Sequence, residues 1–201
     1  MAGKEYRDHP DRIKWDSKYG SNPDLFGRGP SDWLLHCYPT IERLISLPAT
    51  ALDIGAGPGR NSLALARRGF DVTALDISGV ALERLGKLAE AERLDITTVR
   101  TSAYDWDWAP AVFSLVIDFF YLERPLIPKI AGTVVPGGLI CFETYTTGQL
   151  DAPVSPKCPR EFLLEPGELP TLFDGFETLE SREGPLPDGR VTAAWLGRRV
   201  R

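Results

Sequence analysis

Three glycines and two carboxylates stand at spacings that can hold a nucleotide-like ligand. The run Leu52-Asp53-Ile54-Gly55-Ala56-Gly57-Pro58-Gly59-Arg60-Asn61 joins a short apolar stretch to helix-like residues. Glycine lets the backbone turn sharply after a strand and approach a ligand closely, and the following helix start offers unpaired N–H groups. The dinucleotide fingerprint GxGxxG asks for glycine where Arg60 stands, so this pattern is GxGxG and speaks against NAD. No Lys follows Gly59, which excludes the GxxxxGK phosphate loop. An adenosyl group without phosphates is the expected occupant. Asp76 lies 21 positions past Gly55, at the expected tip of the next parallel strand. A carboxylate there can accept hydrogen bonds from both ribose hydroxyls, and a plain cap ahead of Ser78 is the alternative.

Other chemistry is absent from the sequence. There is no GxSxG elbow and no HExxH pair, and the histidines are His9 and His36. His36 and Cys37 are adjacent on an expected helix, so they point about 100° apart and make a poor metal pair. No metal site is expected. Cys37, Cys141 and Cys158 lack CxxC spacing and read as free thiols of a reducing compartment.

The elements that must position the glycine turn alternate. Ser31 is a plausible cap for a helix carrying Trp33, Leu34, Tyr38, Ile41, Leu44 and Ile45 at helical spacing until Pro48. A strand at 51–54, a helix at 61–68, a strand at 71–77 and a helix from Ser78 to about Glu92 follow, the last with Val80, Leu82, Leu85 and Leu88 inward. Strands at 96–100, 113–118 and 138–144 come next, with a helix near 125–134. Near-continuous apolar strands between helices imply a parallel sheet covered on both faces, and 176–182 with 191–199 reads as an antiparallel pair. The fold class is therefore α/β: a Rossmann-like, doubly wound, mostly parallel seven-stranded sheet with a C-terminal antiparallel strand pair.

Composition agrees with one compact unit. The chain has 201 residues, 43% hydrophobic and 25% charged, with a formal net charge of -5. We expect a single domain over 1–201, with 1–30 an arm or lid carrying Trp15, Tyr19 and Phe26, and 31–201 the core. The acidic balance, without charge runs, argues against a nucleic-acid partner. The most apolar stretch, Ala111 to Leu122, is too short to cross a membrane, and the charged N-terminus has no apolar signal segment, so the cytoplasm is the expected location.

The segment ALDIGAGPGRNSLALARRGFDVTALDIS resembles motif I and the following acidic strand end of the class I S-adenosylmethionine-dependent methyltransferases. FSLVIDFFYLERPLIPKIAGTVVPGGLICFETYT and EFLLEPGELPTLFDGFETLESREG resemble the fourth-strand to seventh-strand portion of the small tellurite-resistance-type branch. The resemblance implies S-adenosyl-L-methionine as cofactor. It implies that Asp53 and the backbone at Gly55, Ala56 and Gly57 face the methionine part, and that Asp76 and Ile77 face the ribose. Ser102, Ala103 and Asp105 fall where the family meets adenine, with Ser102 and Asp105 as alternatives for the amine. Trp106 and Trp108 either stack near the base or pack in the core. Asp118 either favours the cationic cofactor or caps its loop. The transferred methyl group is activated by the cofactor itself, so alignment is the protein's main task. Tyr121, Tyr145, Arg160, Arg28 and Tyr19 are acceptor-side candidates, and Tyr145 and Arg160 the candidates for a catalytic role. Acceptors in the family range from metalloid oxyanions to thiols and other small nucleophiles. The other classes are a non-catalytic S-adenosylmethionine-binding regulator and a nicotinamide-dependent oxidoreductase.

Overall fold

The structure is a computed structural model that describes residues 9–22, 24–154 and 159–200. Cys158 lies outside the described residues. The elements are α1 (Pro10–Ser21), α2 (Asp32–Leu44), β1 (Ala49–Ile54), α3 (Arg60–Ala66), β2 (Phe70–Asp76), α4 (Gly79–Glu92) and β3 (Ile96–Arg100), followed by β4 (Phe113–Phe119), α5 (Ile127–Thr133), β5 (Val134–Tyr145), β6 (Phe176–Pro185) and β7 (Val191–Arg199).

The strands form one sheet in the order β3-β2-β1-β4-β5-β7-β6. β1 to β5 run parallel, and β7 enters antiparallel between β5 and β6. The expected fold class is therefore present. The order reverses at β1, with β2 and β4 on its two sides, so their carboxyl ends open a crevice. Registers Ile54↔Leu75 and Ile54↔Asp118 bring Asp53, Asp76 and Asp118 to neighbouring strand tips.

Side chains alternate across the sheet with the period of two that a strand requires. Leu52, Ile54, Val116, Ile140 and Phe142 pack on one face with Leu126, Ile130 and Trp195. Ala51, Leu115, Ile117 and Cys141 pack on the other against Leu34, Cys37, Tyr38 and Ile41 of α2. Burial on both faces explains why these strands read as continuous apolar runs.

Three local expectations change. The arm contains a helix, α1, opened by Pro10 and by the His9 ring nitrogen, which accepts from the Asp11 N–H at 3.2 Å. Its Asp16 carboxylate accepts from the Ser78 hydroxyl at 2.7 Å and the Val80 N–H at 3.2 Å, docking α1 on the start of α4. Ser31 stands at the N-cap of α2 but does not cap it through its side chain; its hydroxyl donates to the Glu143 carboxylate at 2.9 Å. On α4 the inward residues are Ala81, Leu82, Leu85 and Ala89, while Val80 and Leu88 are exposed. The helix is rotated so that its small residues approach the sheet. No helix among the described residues is long and apolar enough to cross a membrane.

Candidate active site

The glycine turn between β1 and α3 is shaped by contacts that leave no room for side chains. Gly57 has φ +55°, and a Cβ there would stand 2.8 Å from the Tyr19 hydroxyl oxygen. Gly59 has φ +86°, and a Cβ there would stand 2.2 Å from Leu85 Cδ1. Positive φ and absent space both demand glycine. The Gly57 N–H donates to Asp76 Oδ2 at 2.7 Å, and the Ser78 N–H donates to Asp76 Oδ1 at 2.7 Å. Asp76 thus makes the backbone cap and also lines the crevice, so the two sequence readings coexist in one side chain. Burial pushes its pKa up to about 6, against these N–H donors.

Asp53 is 2% exposed and receives the Ser62 hydroxyl at 2.6 Å. Burial pushes its pKa up to about 7, opposed first by that bond and then by Arg60. Asp118 is 1% exposed; the Tyr121 N–H reaches its Oδ1 at 3.3 Å, and its Oδ2 has no partner among the described residues. Burial, reinforced by the charge of Asp53, holds it well above the usual carboxylate range. Asp118 is not part of the cavity wall, so a direct role toward a bound cation, one of its two sequence readings, has no support in this geometry.

The crevice opens into a cavity of about 1180 Å³. On the β3 side its wall includes Ile77, Ser102, Ala103, Tyr104, Leu122 and Glu123. The Tyr104 hydroxyl donates to the Glu123 carboxylate at 2.7 Å and bridges the loops after β3 and β4. On the β5 side the wall includes Phe26, Phe120, Tyr145 and Phe162, with the cations Arg60 and Arg190. Tyr19 closes the turn from above, deeply buried, and desolvation pushes its hydroxyl pKa up.

An aromatic row ties the arm to β5. Trp15 stacks on Tyr19 at 5.5 Å and lies 6.4 Å from Phe26, Phe26 stacks on Phe120 at 5.8 Å, and Phe120 lies 4.9 Å from Tyr145. Phe120 has φ +66°, an outlier for a bulky residue. Its N–H donates to the Glu143 carbonyl at 2.8 Å, and the flanking rings hold it in place. Strain of this kind concentrates at functional sites.

The sequence candidates separate clearly. Asp53, Gly55, Ala56, Gly57, Asp76, Ile77, Ser102, Ala103, Tyr121 and Tyr145 all line the cavity. Asp105 does not: its N–H closes a turn onto the Ser102 carbonyl at 3.0 Å, and its side chain is exposed. Of the two adenine-side alternatives, Ser102 is the one in the wall. Trp106 and Trp108 follow the packing reading, with their rings 4.7 Å apart and the Trp108 indole N–H on the Ala103 carbonyl. Arg160 is not in the wall either. It lies in the short turn Arg160–Phe162, its side chain is 66% exposed, and it pairs with Glu165 at 2.7 Å, while Pro159 and Phe162 reach the wall. Arg28 lines the rim but points largely to solvent, paired with Asp24. His36 is exposed, stacked on Trp33, with its Nε2 2.9 Å from the Glu180 carboxylate.

Sequence reasoning missed the wall positions of Arg60, Phe120 and Arg190. Arg60 drew notice only as a substituted glycine. Arg190 ends the β6–β7 turn, is held by Asp188 at 2.8 Å, and donates to the Tyr145 hydroxyl. A turn in the sequence carries no sign of the cavity it overhangs.

Residues 51–138, which include the strand-tip crevice and the glycine turn, match a family model described as a methyltransferase domain. The probable S-adenosyl-L-methionine-dependent methyltransferase TehB of Haemophilus influenzae is 28% identical over 176 residues, which cover 82% of this chain and 59% of that protein. Trans-aconitate 2-methyltransferase of Methylobacterium radiotolerans is 30% identical over 129 residues, covering 61% of this chain and 48% of that one. The chain spans about 59% of the length of the TehB relatives it matches. Among solved structures, TehB of Haemophilus influenzae superposes with a TM-score of 0.66 at 22% identity over 94% of this chain and 66% of that one. The 1,6-didemethyltoxoflavin-N1-methyltransferase of Burkholderia thailandensis, solved with that compound and S-adenosylhomocysteine, has a TM-score of 0.71 at 19% identity over 94% and 87% of the two chains. These structures share the Rossmann-like fold.

Proposed function

We propose that the chain is an S-adenosylmethionine-dependent methyltransferase acting on a small-molecule acceptor in the cytoplasm, and that residues 1–201 work as one unit. The observation that carries this reading is the glycine turn with Asp53 and Asp76 buried in the wall of a cavity whose other half is aromatic. The residues fit the cofactor. The backbone at Gly55 and Gly57 approaches closely, Asp76 retains acceptor capacity for ribose hydroxyls, and Ser102 with Ala103 bounds the adenine side. Bound there, the cofactor supplies a methyl group already activated on a sulfonium.

The chain's part is then placement and exclusion of water. The row from Trp15 to Tyr145 roofs the acceptor half, and Tyr19 seals the turn. The described wall residues from the end of β5 onward are Thr144, Tyr145, Pro159, Phe162 and Arg190, and they include no carboxylate, histidine or lysine. That side of the wall suits a nucleophile that is soft or already anionic, a thiolate or oxyanion; the arm, for its part, brings His9, Asp11, Lys14, Lys18 and Asp24 to the same cavity. Arg190 and Tyr145 supply donors that can orient it. The net charge of -5 supports a small acceptor rather than a nucleic acid.

Thermal denaturation with S-adenosylmethionine or S-adenosylhomocysteine tests the cofactor. At 100 times its Kd either ligand stabilises the fold by about 2.7 kcal/mol. Stabilisation by NAD alone refutes the reading. A panel of small thiols and oxyanions, read by S-adenosylhomocysteine formation, tests the activity. Binding without turnover of any acceptor, small or macromolecular, leaves the non-catalytic regulator.

A further inference from the structure

The β5 side of the cavity is built largely from rings. Phe26, Phe120, Tyr145 and Phe162 all line it. Phe120 is the centre of the set, parallel to Phe26 within 7° and tilted 36° against Tyr145. Its backbone sits at φ +66°, which a bulky residue adopts only where its surroundings impose it. A strained ring in a cavity wall is a positioned ring. Phe162 differs from the other three. It ends the short turn Arg160–Phe162, is 39% exposed, and stacks on no other ring among the described residues. A large apolar side chain left open to a cavity is suited to an apolar surface that arrives with a ligand. One polar edge faces these rings. The Arg190 guanidinium lies 5.6 Å from the centre of the Phe120 ring, donates to the Tyr145 hydroxyl and pairs with the half-exposed Asp188 carboxylate. A guanidinium carries five N–H donors, so these partners do not exhaust it.

Resting on the methyltransferase reading above, we propose that the acceptor is a flat aromatic anion, an aryl thiolate or phenolate, whose ring lies on Phe162 and whose charged edge meets Arg190 beside Tyr145. Ring pairs with centroids about 4.5–7 Å apart gain more than their buried area alone supplies. A small inorganic oxyanion makes no use of the rings and must exchange its hydration for donors that come from one edge. An alkyl thiolate meets Arg190 but leaves Phe162 uncovered. The transfer balances without a base. A lone pair on the acceptor's sulfur or oxygen forms the bond to the methyl carbon, the bond from that carbon to the sulfonium breaks, and its electron pair stays on the donor sulfur as a neutral thioether. The negative charge of the acceptor and the positive charge of the sulfonium cancel, and no proton moves.

The test measures initial rates of S-adenosylhomocysteine formation in wild type, Phe162→Leu and Phe162→Tyr. Thiophenol and 4-nitrophenol are compared with trifluoroethanethiol and selenite at mildly alkaline pH, where all four are largely anionic, so that the comparison reads shape rather than acidity. In wild type at least one aromatic acceptor has a kcat/KM about tenfold or more above both comparators. Phe162→Leu raises the KM of that acceptor about tenfold at nearly unchanged kcat and leaves the comparators within about twofold. Phe162→Tyr keeps the ring and stays within about twofold of wild type for every acceptor. Calorimetric titration of each variant with S-adenosylhomocysteine reads the rest of the site, and its affinity stays that of wild type. A comparator as good as both aromatic acceptors overturns the proposal. So does an aromatic preference that survives Phe162→Leu, a loss of S-adenosylhomocysteine affinity in that variant, or a wild type that binds S-adenosylhomocysteine and turns over none of the four. If S-adenosylhomocysteine does not bind wild type, the methyltransferase reading itself falls and takes the proposal with it, an outcome the calorimetry separates from the others.

Discussion

On the proposed cofactor reading, Asp53 makes cofactor affinity depend on pH. Its carboxyl is buried at the tip of β1 with a pKa pushed up to about 7, so near pH 6 it is about nine-tenths protonated in the free protein. A bound cation favours the ionised form, and binding at that pH releases protons from this group, up to about one. Affinity for S-adenosylmethionine then rises with pH towards about 7, by at most about tenfold per pH unit, and flattens above. Calorimetry in two buffers of different ionisation enthalpy counts the protons directly, and Asp53→Asn removes the slope. The ligand-free fold shows the opposite trend. A folded-state pKa above the unfolded value means that the native chain holds more protons between about pH 4 and 7, so stability falls as pH rises through that window. Asp76, raised to about 6, adds to the same fall over a lower range. A pH-independent affinity below pH 7, with no buffer-dependent heat, refutes the argument.

Three further outcomes follow from the geometry. Gly59→Ala meets both a left-handed backbone and a Leu85 methyl at 2.2 Å, and should destabilise the fold by about 2–4 kcal/mol in urea denaturation. Removing residues 1–27 takes away Tyr19 and the Phe26 ring but none of the sheet; turnover with small acceptors should drop far more than the urea midpoint, and a parallel loss of both would make the arm mere packing. Arg160→Ala should leave the kcat/KM for those acceptors within about twofold, because solvent-exposed ion pairs such as Arg160–Glu165 contribute little.

The alternation of strand and helix was legible because β1 and β4 are covered on both faces and therefore spell continuous apolar runs. The glycine turn was legible because positive φ and close packing admit few other residues. The arm helix was not, since within α1 only Tyr19 is buried and a polar helix leaves no apolar stripe. Ser31 illustrates a second limit. Capping is a local expectation, and its hydroxyl is taken by Glu143, 112 residues away. Long-range delivery also hid Arg190, and the choice between Ser102 and Asp105 turned on one backbone hydrogen bond within a loop.

The division of labour within the cavity has an evolutionary consequence. On the proposed reading, the cofactor half of the cavity lies at the tips of β1 and β2, within the parallel part of the sheet. The acceptor half is walled in part by excursions: the arm, the segment around Pro159 and Phe162, and the β6–β7 turn that carries Arg190. Those excursions can exchange residues without disturbing the packing of Leu52, Ile54 and Val116. If the chain is the methyltransferase proposed, acceptor preference is thus free to diverge among its descendants while the methyl-donor half stays the same, and selection for a new substrate acts on parts outside the packed sheet.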